Sequence, residues 1–315
     1  MIRRHLLCIF SVFLAATVFG DAYDWKPEAS WGPYRERGTG KLIKKAEKAE
    51  AKGNYKKALG QYRKIEKESV NVKNKAKALV KQGDCLREMK EPWKAFGKYR
   101  VAVDEYRSYI PFNDVLLAEY EISGHFGEGG KKDSVLWLKF STDEKAVEVL
   151  DHIVEVGPYS EIAPKAMYRV ALIRMAQEDF ESAIQRLKSL LHTYPRSDIA
   201  KDARLELARA LLREAQAGDG DGTLTSEGRS CLDRFIERYP DHERIQEARD
   251  LAVEAKDIEA GRLLALSEFY MLPAHSRPEA AKGYLRRIVM EYSETSSALI
   301  AQILLTSLQG ADPQE

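Results

Sequence analysis

The chain has 315 residues, with 50 Lys+Arg against 49 Asp+Glu, a balance that argues against nucleic acid, which is bound by a concentrated basic face. Its three cysteines, Cys8, Cys85 and Cys231, are too few and too far apart for a disulfide framework. Length does not count domains here, because a repeat array can run this far as one structural unit.

The N-terminal segment carries Arg3 and Arg4, an apolar run from Leu6 to Phe19, and small residues at Gly20 and Ala22, the layout of a secretory signal peptide over residues 1–20. The run is about fourteen residues, short of the roughly twenty that a bilayer span needs. Val18 and Gly20 suit positions −3 and −1 of a peptidase site, making Asp21 the first mature residue, with cleavage after Ala22 as the alternative. Cleavage removes Cys8, Arg3 and Arg4 and no acid, leaving 48 basic against 49 acidic residues, a net charge of −1. Cys85 and Cys231 remain, each in a helical pattern, where a small buried thiol is expected rather than a bridge.

Residues 21–40, DAYDWKPEASWGPYRERGTG, show neither helical nor alternating periodicity and read as an irregular arm. Its aromatics Tyr23, Trp25, Trp31 and Tyr34 fit an arm pinned to the repeat array or to a partner, and a disordered linker is the alternative.

From Lys41 the composition turns to Ala, Lys, Glu and Leu, and the chain becomes self-similar. GNYKKALGQYRKI (53–65), KEPWKAFGKYRVA (90–102), DEKAVEVLDHI (143–153) and EDFESAIQRLKSLLHTYP (178–195) share one register. A small residue (Ala58, Ala95, Ala146, Ala183) is followed four later by a large one (Tyr62, Tyr99, Leu150, Leu187), and three further on by Ile65, Ala102, Ile153 or Leu190. That spacing is one face of a helix. Gly83 in LVKQGDCL (79–86) and Ala171 in MYRVALIRM (167–175) hold the close-contact position of the preceding helix. Pro158, Pro195 and Pro240, at intervals of 37 and 45, end each second helix because proline has no N–H donor.

Small-beside-large packing in paired helices is the tetratricopeptide pattern, whose unit is 34 residues. The fold class expected is therefore all-α, a tetratricopeptide-like α-solenoid of about five helical hairpins over residues 41–308, with 309–315 as a tail. The longer intervals imply longer helices or loops. FGEGGKKDSVLWLKFST (126–142) and AGDGDGTLTSEG (217–228) read as insertions.

Three stretches resemble the BamD-type (YfiO-type) outer-membrane assembly proteins. PYSEIAPKAMYRVALIRMAQEDFESAIQRLKSLLHTYPRSDIAKDARLELA (158–208) is similar to that family's repeated YP.S..A..A segments. RDLAVEAKDIEAGRLLALSEFYM (249–271), with SEFY at 267–270, and YLRRIVMEYSETSSA (284–298) resemble its long late helix and closing hairpin. The resemblance implies a non-catalytic periplasmic scaffold at the inner face of the outer membrane. Its partners would be β-barrel assembly machinery subunits and unfolded outer-membrane protein segments. The YP.S hairpins also occur in envelope proteins of the Tol–Pal and cell-division type, which is the alternative. Family members usually begin with a lipidated cysteine after the signal, but Gly20 and Asp21 stand at that point here. Membrane association is therefore expected to be peripheral, through protein contacts.

Chemistry has little to work with. DGDGTLTSE (219–227) resembles the middle of a calcium loop, but aligning Asp219, Asp221 and Gly222 with positions 3, 5 and 6 puts Ala217 at position 1 and Gly228 at position 12, so two ligands are missing. A polar turn explains the stretch without a metal. Histidines 5, 125, 152, 192, 242 and 275 make no His-x-x-x-His pair, and no phosphate loop or nucleophile elbow appears. No cofactor and no catalytic residue are assigned, and binding is the function left. First helices of successive hairpins line the concave face of a helical-repeat array, so Ile43, Glu47, Lys77, Val80, Asp84, Arg87, Tyr168 and Leu172 are the expected partner-binding positions, with Trp25 and Trp31 on the arm. Their mixture of charge and apolar side chains suits an extended peptide.

Overall fold

The computed structural model describes residues 39–127, 136–218 and 220–310, and among these every regular element is helical. The signal peptide, the arm with Trp25 and Trp31, and the tail beyond 310 lie outside the described residues. Contacts divide the chain into two compact units, Met1–Val115 and Leu116–Glu315.

The first unit holds α1 (Thr39–Glu50), α2 (Tyr55–Glu68), α3 (Val72–Glu88) and α4 (Pro92–Tyr106), each packed on the next. Its hairpin turns follow from local chemistry. Gly53 adopts φ +69°, and Asn54 then caps α2 by accepting from Lys57 N at 3.2 Å. Asn71 caps α3 by accepting from the N–H groups of Lys73 and Asn74. Such caps satisfy donors that a helix start leaves unpaired.

α5 (Phe112–Gly127) begins at the end of the first unit and runs into the second. The second unit continues through α6 (Leu136–Val156), α7 (Ala163–Ala176), α8 (Phe180–Thr193), α9 (Ala200–Gly218), α10 (Thr223–Arg238), α11 (Ile245–Met271), α12 (Pro278–Glu291) and α13 (Ser296–Gly310). From α6 onward consecutive helices pack in order, and α9 with α11 and α11 with α13 also meet. This is the pairing of tetratricopeptide hairpins, in which a first helix touches its own partner and the next first helix. Among the described residues, α1 with α2, α3 with α4, α7 with α8, α9 with α10 and α11 with α12 pack as the five hairpins expected, and α5, α6 and the closing α13 stand besides.

The register read from sequence is the register of the core. Ala58, Ala95, Ala146 and Ala183 are buried, as are the large residues four later and the residues three beyond those. At Gly83 a Cβ would lie 2.3 Å from Tyr99 Cε1, so α3 and α4 approach too closely there for any side chain. The longer interval between Pro195 and Pro240 comes mainly from longer helices: α9 and α10 have 19 and 16 residues, where α7 and α8 have 14 each.

The YP.S segments are the turns between hairpins. α6, α8 and α10 each end two residues before a proline, since the residue preceding proline is disfavoured in helical conformation. The chain then turns tightly. Ser160 N–H donates to Gly157 O, Ser197 N–H to Tyr194 O, His242 N–H to Tyr239 O and Thr295 N–H to Tyr292 O, all at 2.9–3.1 Å. Hydroxyls of Ser160, Ser197 and Thr295 donate to the same carbonyls. Tyr194 adds a longer link, its hydroxyl donating to Pro158 O at 2.5 Å across two successive turns.

Candidate partner-binding surfaces

Each unit carries a polar surface built from its first helices. In the first unit, α1 supplies Ile43, Glu47 and Glu50, and α3 supplies Lys77, Val80, Lys81, Asp84 and Arg87. Two of the expected outward residues are buried: Ile43 is 7% exposed and Lys77 6%. Glu47, Val80, Asp84 and Arg87 are half-buried. Lys81 Nζ bridges Glu50 at 2.8 Å and Asp84 at 3.4 Å. The carboxylates are also held from below, by tyrosines of the second helices. Tyr62 hydroxyl donates to Glu50 Oε2 at 2.5 Å and Tyr99 hydroxyl to Asp84 Oδ1 at 2.7 Å. Sequence reasoning placed both tyrosines in the core but missed their anchoring role; the signal was that a buried phenol needs a hydrogen-bond partner.

Burial shapes the titration of this cluster. It pushes the Lys77 ammonium down to about 6, with Glu47 opposing the shift. It opposes the charge on Lys81 too, but Asp84 and Glu50 outweigh it and raise that pKa. Burial first, and then the bond to Glu50, raises the Tyr62 phenol far above its ordinary value. The Cys85 thiol is pushed up to about 12 by burial, which leaves it inert.

In the second unit the corresponding face crosses α7, α9 and the start of α11. Arg244, just before α11, reaches Glu206 at 2.5 Å, Glu247 at 2.8 Å and Asp202 at 3.4 Å. Arg209 pairs with Glu247 and lies 3.6 Å from Glu206. Further along, Gln216 donates to Glu254 at 2.8 Å, and Arg213 lies 3.5 Å from the same carboxylate. Tyr168 of α7 borders this ladder. Its phenol is pushed up to about 12 by burial, then by Glu206 and Asp202, with Arg244 opposing. Leu172, one turn on, is 37% exposed. Tyr168 and Leu172 thus form an apolar border to a band of mutually neutralised charge.

The described residues at the start of α10 make local contacts. Asp221 Oδ1 accepts from Thr223 N at 2.9 Å, Gly222 takes φ +80°, and Glu227 pairs with Lys188 at 2.8 Å. Asp219 lies outside the described residues. Among the described residues no group of three or more His, Cys, Asp or Glu is placed to hold a metal ion, no helix is long and apolar enough to cross a membrane, and Cys85 and Cys231 are free thiols.

The fold defines an all-α tetratricopeptide-type protein. Comparison with known proteins narrows this. The model of the YfiO family, described as outer membrane lipoprotein, matches residues 160–296, from the first YP.S-type turn to the start of α13. Over that stretch the resemblance seen in sequence holds. The SEFY segment lies there on α11, with Ser267 buried, Phe269 stacked on His275 and Tyr270 on Tyr284. No curated protein sequence matches the chain. Similar solved structures include a tetratricopeptide repeat protein from Parabacteroides merdae, at 16% identity over 87% of this chain and 100% of that one, with a TM-score of 0.38. A thermophilic TPR protein of Thermus thermophilus has 14% identity over 69% and 98% of the chains, with a TM-score of 0.35. The type IV pilus biogenesis factor PilW has 15% identity over 86% and 100%, with a TM-score of 0.31.

Proposed function

We propose that this protein is a non-catalytic scaffold on the periplasmic side of the outer membrane, and that it holds subunits of the β-barrel assembly machinery and receives unfolded barrel segments. The observation that carries the reading is the family match over residues 160–296, which contains the face formed by Tyr168, Leu172 and the Arg244 ladder. Glu47, Val80, Asp84 and Arg87 are the contact positions of the first unit. Ile43 and Lys77 serve them from beneath.

The test is a crosslinking pull-down from envelope preparations. Recovery of a β-barrel insertase or of unfolded barrel proteins supports the proposal. Recovery of Tol–Pal, division or peptidoglycan factors instead would favour the rival reading as an envelope protein of that type. Retention at the membrane is assigned to protein contacts, with Trp25 and Trp31 of the arm burying against a partner, as aromatic anchors do.

A further inference from the structure

Away from the first-helix face of the second unit, an open cleft of about 710 Å³ lies among α10, α11 and α12. Arg234, Arg262, Arg287, Ser226 and Ser230 line it with side chains that carry donors, while the Tyr292 hydroxyl, also at its edge, is spent on Glu259. Asp221, Glu227 and Glu259 line it as well, but each is engaged: Asp221 by Thr223 N–H, Glu227 by Lys188, and Glu259 by Arg229 at 2.5 Å. Arg287 pairs with Glu291 at 2.8 Å. Arg234 spends one donor on Ser230 O and another on Cys231 Sγ.

Arg262 is different. Its Nε is buried and meets no acceptor. The guanidinium lies flat on Gly222, where a Cβ would fall 2.8 Å from Cζ, Nε and Nη2. Gly222 also has φ +80°, a backbone conformation that favours glycine. The guanidinium therefore lies beside the start of α10, where the Asp221 carboxylate takes the Thr223 N–H and also faces Arg262.

We propose that this cleft binds a phosphate group, carried as a phosphate ester. Guanidinium forks and hydroxyls converging from three helices suit a tetrahedral oxyanion with several acceptor oxygens better than a carboxylate, which a single fork satisfies. The cleft volume leaves room for the moiety that bears the phosphate. That moiety is either a phospholipid headgroup or a soluble ester.

The experiment is titration calorimetry of the purified chain with glycerol 3-phosphate, joined to flotation with phosphatidylglycerol vesicles. Saturable glycerol phosphate binding is expected, weakened about tenfold or more in Arg262→Gln and in Arg234→Gln, the scale of losing a charge-assisted fork. Circular dichroism checks both variants, and Arg234 is exposed, so that variant gives the readout should Arg262→Gln unfold. Arg262-dependent flotation identifies a lipid headgroup, and ester binding without flotation identifies a soluble ligand. The proposal fails if neither phosphate probe binds saturably, if folded variants bind as the parent does, or if a Glu-rich peptide binds where the phosphates do not.

Discussion

Substituting Gly83 by alanine separates tertiary packing from helix propensity, because the two act in opposite directions. In an isolated helix the change favours alanine by about 0.5–1 kcal/mol. In this fold the added methyl would stand 2.3 Å from Cε1, 2.6 Å from Cδ1 and 2.7 Å from Cζ of Tyr99. That ring is fully buried, and its hydroxyl is tied to Asp84 at 2.7 Å, so it cannot swing aside without breaking a charge-assisted bond worth about 1.5–3 kcal/mol. Overpacking typically costs about 1–3 kcal/mol. A net destabilisation of roughly 0.5–2 kcal/mol is therefore expected for Gly83→Ala once the propensity gain is subtracted, and more if the Tyr99–Asp84 bond breaks. Gly97 of α4 supplies the control, since no atom lies within 4 Å of a Cβ built there; Gly97→Ala should stabilise by about 0.5–1 kcal/mol. Urea denaturation of the three proteins, with m-values compared, is the assay. If Gly83→Ala is as stable as Gly97→Ala, the close contact of α3 with α4 is refuted.

Ala183→Trp, at a buried small position of α8, should lower the thermal midpoint by the equivalent of about 1–3 kcal/mol or more; an unchanged midpoint would mean the register is wrong. Lys77 has a folded pKa of about 6 against its ordinary 10.5, so unfolding takes up a proton between those values and its contribution makes stability rise with pH across that window. Lys77→Met should stabilise at neutral pH and flatten the rise in urea midpoints across the same window. Arg244→Ala leaves the buried Glu206 with Arg209 at 3.6 Å as its remaining ion pair among the described residues, and should cost about 1–3 kcal/mol by chemical denaturation, between the values of exposed and buried pairs. Intact mass spectrometry of the mature protein should show no acyl increment, because no cysteine stands beside Gly20 and Asp21.

Much of the architecture was legible because it rests on short-range rules. The alternation of Ala58 with Tyr62 and Ile65, repeated at Ala95, Ala146 and Ala183, fixes which stripe of each helix is buried, and Pro158, Pro195 and Pro240 fix where second helices stop. The polar surfaces were less legible. α3 lies between α2 and α4, and four consecutive residues, Ala76 to Leu79, are buried; a single helical stripe does not foresee that, which is why Lys77 read as outward. Ile43 joins the core for a similar reason, being one turn from Ala46 and two from Glu50 on the face of α1 that meets α2. Ion-pair choice is harder still. Arg244 precedes α11 but closes on Asp202 and Glu206 of α9, a pairing set by how hairpins stack and by no spacing along the chain.

Whether the first-helix faces of this chain hold polypeptide partners of the outer-membrane assembly apparatus can be read by photocrosslinking in cells, with Val80 and Leu172 each replaced singly by a photoreactive residue. Crosslinks from these positions to a β-barrel insertase or to unfolded barrel proteins, absent from the exposed control Met290 on α12, are predicted. Crosslinks to division or peptidoglycan factors, or the same products from all three positions, would contradict the proposed role.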